Sequence, residues 1–281
     1  SKKTHKNTTH TVRPVQTLVD IVIPVFRRFD ILSRCLEAIP SAMGDIPYRI
    51  YMVDNASPIE EANSFYAMIK PPIMVTRNKE NMGFARACNQ GASRGNSPLI
   101  FFLNSDVLLD ANSIPKLVME MDDPKTGVCG MKLVFPDDAS MYNLNVGIRP
   151  AGKIQHVGLM TNIRGDFVHA FIGWDADHPK PNACREMYAV TGAALMTRRN
   201  LFTKIRGFNE VYGAGTFEDV EYCLMAKEMG YNVIVNTSAC GVHYTGATSE
   251  TYQIQFPMEY NRMTFLQRWA SKLTWDEYKK W

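Results

Sequence analysis

Between Leu18 and Leu103, four short apolar runs alternate with three segments of helical periodicity, and no other feature of the chain restricts its fold as strongly. Leu18 to Phe26 (LVDIVIPVF) is rich in β-branched residues and ends near a proline, which marks a buried strand. Asp30 is placed to cap the next helix, whose apolar face is Ile31, Leu32, Cys35, Leu36 and Ile39. Tyr48 to Val53 gives a second strand, Ile59 to Ile69 a second helix and Ile73 to Thr76 a third strand. A small-residue helix from Phe84 to Ser93 and a strand from Leu99 to Leu103 follow. This alternation predicts an α/β fold, a mostly parallel central sheet covered by helices on both faces. Ligands of such sheets bind beyond the carboxyl ends of the strands. Two polar clusters lie there, Asp54-Asn55-Ala56-Ser57 and Asn104-Ser105-Asp106.

The remainder is read more coarsely. A helix carries Ile114, Leu117, Val118 and Met121. Residues Val128 to Val168 hold strand and turn signals without a clear order, and Phe171 to Cys184 reads as a loop containing Trp174. Met187 to Thr197 reads as one strand through Thr191 and Gly192. Phe217 to Met229 reads as a helix, with Thr216 and Asp219 at capping-box spacing. Tyr231 to Asn236 is a strand, His243 falls in the loop beyond it, and Gln255 to Trp281 is helical. The expected division is a tail at 1–17, one domain at 18–254 with halves 18–125 and 126–254, and a C-terminal segment at 255–281.

A net charge of +3 in 281 residues, with no basic stripe outside the termini, argues against nucleic acid as a partner. No apolar run approaches the ~20 residues of a membrane span, and no signal peptide is visible. The six cysteines form no C-x-x-C pair. They point to a reducing, cytoplasmic setting without a disulfide framework or a zinc site.

The chemistry-bearing residues each have a plain structural reading as well. Asp54 is either an Asx-turn residue or a carboxylate that accepts a base N–H. Asn104-Ser105-Asp106 is either a strand-end turn or a truncated D-x-D that holds a cation for a diphosphate. Glu218 and Asp219 either complement a helix dipole or supply a general base. His243 is either an ordinary polar residue or, as a neutral imidazole, a metal ligand.

Taken in order, IVIPVF at Ile21, VDNAS at Val53, NKENMGFARACNQG at Asn78, FFLNSDV at Phe101, TGAALMTRR at Thr191, GFNE at Gly207, FEDVEYCLMAKEMGY at Phe217 and the His243 loop resemble family 2 glycosyltransferases of GT-A fold. The series is most similar to their rhamnosyltransferase-like and galactofuranosyltransferase-like branch. The resemblance implies a Rossmann-like sheet with a C-terminal helical extension, and an inverting transfer from a UDP- or dTDP-sugar to a saccharide or lipid-linked saccharide hydroxyl. It implies a nucleotide-sugar site at Pro24, Val25, Asp54, Asn55, Asn81, Gly83, Asn104, Ser105 and Asp106. Mn²⁺ or Mg²⁺ would be held by Asp106 and His243, and Asp219 would be the base. Thr191, Gly192, Glu218 and Glu221 would face the acceptor, and Trp174 lies where an acceptor-side loop would be. Asn104 departs from the pattern, standing where many members carry the first acid of D-x-D. That departure leaves a rival reading, an inactive nucleotide-sugar-binding module of a larger synthase. A dinucleotide-dependent oxidoreductase is excluded, since no G-x-G-x-x-G follows the first strand. Trp269, Trp275 and Trp281 among basic residues suit a helix packed on the domain, a peripheral membrane contact or an oligomer interface.

Overall fold

A computed structural model describes residues 16–137, 151–275 and 277–280. The chain runs β1 (Val19–Val25), α1 (Phe29–Met43), β2 (Tyr48–Asp54), α2 (Ile59–Tyr66), β3 (Ile73–Arg77), α3 (Phe84–Ser93), β4 (Leu99–Leu103), β5 (Val107–Leu109), α4 (Ser113–Glu120) and β6 (Thr126–Val134). It continues through β7 (Ile154–His156), β8 (Leu159–Thr161), β9 (Phe167–His169), β10 (Arg185–Glu186), β11 (Ala194–Arg198), α5 (Arg199–Ile205), α6 (Glu218–Glu228), β12 (Asn232–His243), α7 (Ala247–Thr251) and α8 (Met258–Trp269).

The central sheet has the order β3-β2-β1-β4-β11-β6-β12-β10, with β5 paired to β12 and β7 to β6. Strands β3, β2, β1 and β4 are mutually parallel. Strand β11 runs antiparallel to both β4 and β6, and β12 runs parallel to β6. The chain leaves β1 toward β2 on one side and later returns to place β4 on the other. The carboxyl ends of β1 and β4 therefore flank a topological switch point, where a crevice opens.

Side-chain alternation distributes the core to both faces. Ile21, Ile23, Phe101 and Leu103 pack toward α1 and α4, while Val22, Ile100 and Phe102 pack toward α3, α5 and α6. The small residues of α3 have a packing reason: a Cβ at Gly91 would lie 2.4 Å from a Val22 methyl. Asp20, inside the first apolar run, is buried but paired with Arg199 at 2.7 Å and Ser97 Oγ at 2.6 Å.

Several local expectations are corrected. Asp30 does not cap α1, because Arg28 occupies the cap in a left-handed conformation and pairs with Asp30 at 2.9 Å. Met187 to Thr197 is not one strand: β10 and β11 are separated by an irregular stretch that turns at Thr191–Gly192. His243 is not in a loop but ends β12. Thr216 and Asp219 form no capping box, since α6 starts from Phe217 in a left-handed conformation and Thr216 Oγ1 bonds Asn261. Helix α8 is packed on the domain through Trp269, whose Nε1 donates to Glu221 at 3.1 Å. Trp281 lies outside the described residues. Among the described residues no helix is long and apolar enough to cross a membrane. None of the six cysteines is in a disulfide.

Candidate active site

A cleft of about 600 Å³ opens at the switch point, within the ~300–1,000 Å³ usual for small-molecule sites. Its walls include Pro24, Val25, Asn55, Asn81, Gly83, Asn104, Ser105, Asp106 and His243. Asn55 follows β2 and organises the neighbouring loop: Nδ2 donates to Gly83 O at 3.2 Å, and Oδ1 accepts from Asn78 Nδ2 at 2.9 Å. Gly83 has φ +83°, and a Cβ there would stand 2.1 Å from Gly213 O. Only glycine lets this loop close on the Gly213–Ala214 turn across the cleft. Among the described residues lining the cleft there is no lysine or arginine. The donors it offers an anion are amides and hydroxyls.

Asp106 and His243 meet through sheet pairing. Strand β12 is irregular between Asn236 and Cys240, and its last residues pair with β6 on one side and β5 on the other, with His243 opposite Val107. A Cβ at Gly241 would lie 2.9 Å from Leu108 O, so this close approach needs glycine. The result brings His243 Nε2 to 3.4 Å from Asp106 Oδ1, with both residues buried. Gln155 Oε1 lies 3.1 Å from His243 Nδ1. An amide oxygen only accepts, so Nδ1 carries a ring proton and Nε2 faces Asp106. Asp106 Oδ1 has no hydrogen-bond partner among the described residues. With the imidazole neutral, Nε2 and Oδ1 are two acceptors facing each other, and such a pair requires a proton or a cation between them. Two donor atoms at ~2.1 Å from an octahedral cation stand ~3 Å apart, so the pair fits a small divalent ion with little movement. Among the described residues no cluster of three or more His, Cys, Asp or Glu could hold a metal.

On the other side stands a pair of carboxylates at the start of α6. Glu218 is buried, and Oε2 has no hydrogen-bond partner among the described residues. Burial, then the neighbouring Asp219 charge, pushes its carboxyl up to about 8. Asp219 keeps part of its surface open. Burial raises its carboxyl too, against backbone N–H donors led by Gly192. Gly192 N donates to Oδ2 at 2.9 Å and Val220 N to Oδ1 at 2.8 Å. These bonds favour charge on Asp219 and leave the proton on Glu218. Gly192 is squeezed between the two walls: a Cβ there would stand 3.2 Å from the Phe84 ring and 3.4 Å from Asp219 Cβ. The same turn is tied to the donor side, because Asn104 N donates to Ala193 O at 2.9 Å. Thr216 and Phe217 precede the pair with φ of +86° and +72°. Left-handed non-glycine residues cost ~1–3 kcal/mol each. Asn261 holds them by donating to Tyr212 O at 2.9 Å and Gly215 O at 2.7 Å, and Phe217 stacks on Phe265.

Residues 20–175, more than half of the chain, match the family described as Glycosyl transferase family 2. The chain belongs to that family. The O-antigen biosynthesis protein RfbC of Myxococcus xanthus is 23% identical over 239 residues, covering 82% of this chain and 17% of that protein. The chain spans a quarter or less of the curated relatives first matched along most of its length. A mannosyltransferase of Pyrobaculum calidifontis in complex with GDP-Man and Mn²⁺ superposes with a TM-score of 0.54 at 16% identity, covering 81% of this chain and 57% of the other. GalNAc-T7 with UDP, GalNAc and Mn²⁺ gives a TM-score of 0.60 at 12% identity, covering 82% and 44%. At these identities the superpositions show the fold, a GT-A glycosyltransferase sheet.

Not every expected residue of this family 2 glycosyltransferase reaches the cleft. Asp54 lies behind Asn55, fully buried, with Oδ1 accepting Ser57 N at 2.7 Å and Oδ2 3.4 Å from Arg77 Nε. Oδ2 has no hydrogen bond among the described residues. Thr191, Gly192, Glu218 and Asp219 form a second layer behind Phe84 rather than lining the cleft. Two acceptor-side expectations are corrected. Trp174 is absent from the cleft wall and instead packs edge-on against Phe171 and His178. Glu221 is buried and bound to Arg268, Trp269 and Asn209, so it anchors α8 and has no oxygen to spare for a sugar. Sequence reading missed Gln155, Phe84, Asn261 and the 245–256 wall, which contributes Thr245, Thr248, Ile254 and Phe256. The spacing of these residues carries no motif. Only the folded chain brings them together.

Proposed function

We propose that the protein is an inverting glycosyltransferase that moves a hexosyl or deoxyhexosyl group from a UDP- or dTDP-sugar to a saccharide hydroxyl. The observation that carries this is one cleft with an acceptor pair, Asp106 and His243, on one wall and the Asp219 carboxylate behind another. Among the described residues the lining has no lysine or arginine to meet a diphosphate. Asp106 and His243 would hold Mn²⁺ or Mg²⁺, and the imidazole favours Mn²⁺. Such a cation would offset the charge that develops on the leaving diphosphate. Asn55, Asn81 and Ser105 orient the donor. Asp54 Oδ2 is the acceptor reserved for the N3–H of uracil or thymine, reached once Arg77 moves aside.

Asp219 takes the proton of the acceptor hydroxyl as that oxygen attacks the anomeric carbon. The carbon–oxygen bond to the diphosphate breaks as the new one forms, and configuration inverts. Glu218 stays protonated, so the acceptor meets one negative charge rather than two. A module that only binds nucleotide sugars has no use for a buried and a half-buried carboxylate side by side without a lysine or arginine partner among the described residues, which weighs against the inactive reading. The O-antigen biosynthesis relative favours a glycan or lipid-linked glycan acceptor, and the rhamnosyl or galactofuranosyl branch supplies the first donors to try. A donor screen with Mn²⁺ and Mg²⁺, followed by NMR of the product anomer, tests the proposal. Retention of configuration, or turnover of no nucleotide sugar, would overturn it.

A further inference from the structure

Strand β7 contains a bulge that places two neighbouring residues against different parts of the site. Val134 pairs with Ile154 and Leu133 with His156, so Gln155 is an extra residue in the ladder. Bulges of this kind re-aim side chains and recur beside active sites. Gln155 is buried, and its amide oxygen reaches His243 Nδ1 at 3.1 Å. His156 is also buried, and its Nε2 faces two backbone amides, Gly158 N at 3.2 Å and Thr191 N at 3.3 Å.

Two amides leave Nε2 only the role of acceptor. Burial holds the ring neutral, well below its ordinary titration range. The proton of His156 must then sit on Nδ1, which stands 2.8 Å from His169 Nδ1. His169 accepts there and carries its own proton on Nε2, and burial keeps this ring neutral as well, with its pKa lowered to about 4. The tautomers of the pair follow from the backbone amides alone. One of those amides belongs to Thr191, the residue before the Gly192 N–H that binds Asp219.

We propose that Gln155 and His156 are positioning residues for the two halves of the active site. Gln155 fixes His243 with Nε2 toward Asp106, and His156 fixes the Thr191–Gly192 turn that aims Asp219. The roles rest on the transferase reading given above, but the placement is testable without donor or acceptor. The cost of the arrangement explains why it is built: two buried imidazoles, a half-buried one and a buried amide are worth their desolvation only if each hydrogen bond is made.

Long-range ¹H–¹⁵N correlation spectra of the intact protein at pH 7 should show His156 and His243 protonated on Nδ1 and His169 on Nε2. His156 protonated on Nε2 overturns its half, and His243 protonated on Nε2 overturns the other. Mn²⁺ titrations followed by electron paramagnetic resonance should show affinity lowered ~10–100-fold in Gln155→Leu, the scale of losing the partner of a metal-bound imidazole. Gln155→Glu keeps an acceptor and should restore it. In His156→Phe the Mn²⁺ affinity should stay within twofold while the Gly192 amide proton, downfield through its bond to Asp219, moves upfield. Equal Mn²⁺ affinity in Gln155→Leu and the native protein, or a Gly192 amide unmoved in His156→Phe, overturns the proposal. If either variant fails to fold, the tautomers of the native chain still decide.

Discussion

The half of the sheet built from β1 to β4 and the half built from β6, β7, β11 and β12 meet at one cleft, but they treat charge in opposite ways. In the first half the buried carboxylates away from the cation seam have cationic neighbours: Asp20 has Arg199 at 2.7 Å, and Asp54 has Arg77 at 3.4 Å. Apart from Asp106, what it offers the cleft is neutral, from Asn55, Asn81, Asn104 and Ser105. In the second half Glu218 and Asp219 have no lysine or arginine partner among the described residues, and the buried His156 and half-buried His169 are held as neutral rings. Burying such groups without compensation is costly. The difference separates a binding scaffold, which needs shape and hydrogen bonds, from a catalytic wall, which needs groups poised to gain or lose a proton.

The sharpest way to break this comparison is at the seam. Asp106 belongs to the first half and His243 to the second, and the proposed cation joins them. EDTA should abolish transfer and Mn²⁺ should restore it, and Asp106→Ala should lower turnover by at least ~10³-fold at saturating Mn²⁺. Full activity in EDTA would leave the two acceptors sharing only a proton. Next in size is Asp219→Asn, which keeps shape and removes the base. Transfer should fall ~10²–10⁴-fold while calorimetric UDP affinity stays within a factor of about two, because the donor wall is untouched. A parallel loss of UDP affinity would show that the halves are not separable.

The two halves also differed in legibility. Strands β1 and β4 and most of β2 are apolar runs buried on both faces, with β3 a half-exposed edge strand, and α3 matched its expected limits, Phe84 and Ser93, because a helix of small residues is dictated by close packing on Val22. The polar ends of β2 and β4 pointed to the cleft for the same reason. In the second half, β7, β8, β9 and β10 are two or three residues long, too short for any periodicity. Gln155 and His156 owe their positions to a bulge, and bulges leave no pattern in one sequence. Glu221 looked like an acceptor group because it follows Glu218 and Asp219. One helical turn on, it points into α8, and three residues of spacing could not reveal that partner.

A smaller effect sharpens the donor side. Asp54→Ala should weaken UDP binding by ~1.5–3 kcal/mol, the range for a hydrogen bond to a charged group, with little change for a purine diphosphate. Asp54 is fully buried and braces Ser57, so the variant will also lose some thermal stability. Comparing UDP with GDP in one calorimetric series separates the two roles. An equal loss for both nucleotides would mean that Asp54 is only a strut, and that base choice lies with Asn55 and its loop.

The smallest effect concerns the pH dependence of stability, and it isolates the catalytic wall. Glu218 has its carboxyl raised from an ordinary 4.5 to about 8, chiefly by burial and then by Asp219. Between those limits the unfolded chain releases this proton while the folded chain keeps it. The folded state then binds more protons than the unfolded one, so stability falls as pH rises. The contribution is fully present below about pH 4.5 and is lost by about pH 8–9. Glu218→Gln keeps the shape of the protonated acid and carries no proton to lose. Its melting temperature should therefore lie close to that of the native protein at pH 5 and exceed it at pH 8.5. Asp20 and Asp54 of the first half should not imitate this, since arginines stand beside them. Asp20→Asn, which removes the mate of Arg199, should lower the melting temperature at both pH values. If Glu218→Gln melts in parallel with the native protein from pH 5 to 8.5, Glu218 is ionised in the folded state, and the second half is less strained than its geometry implies.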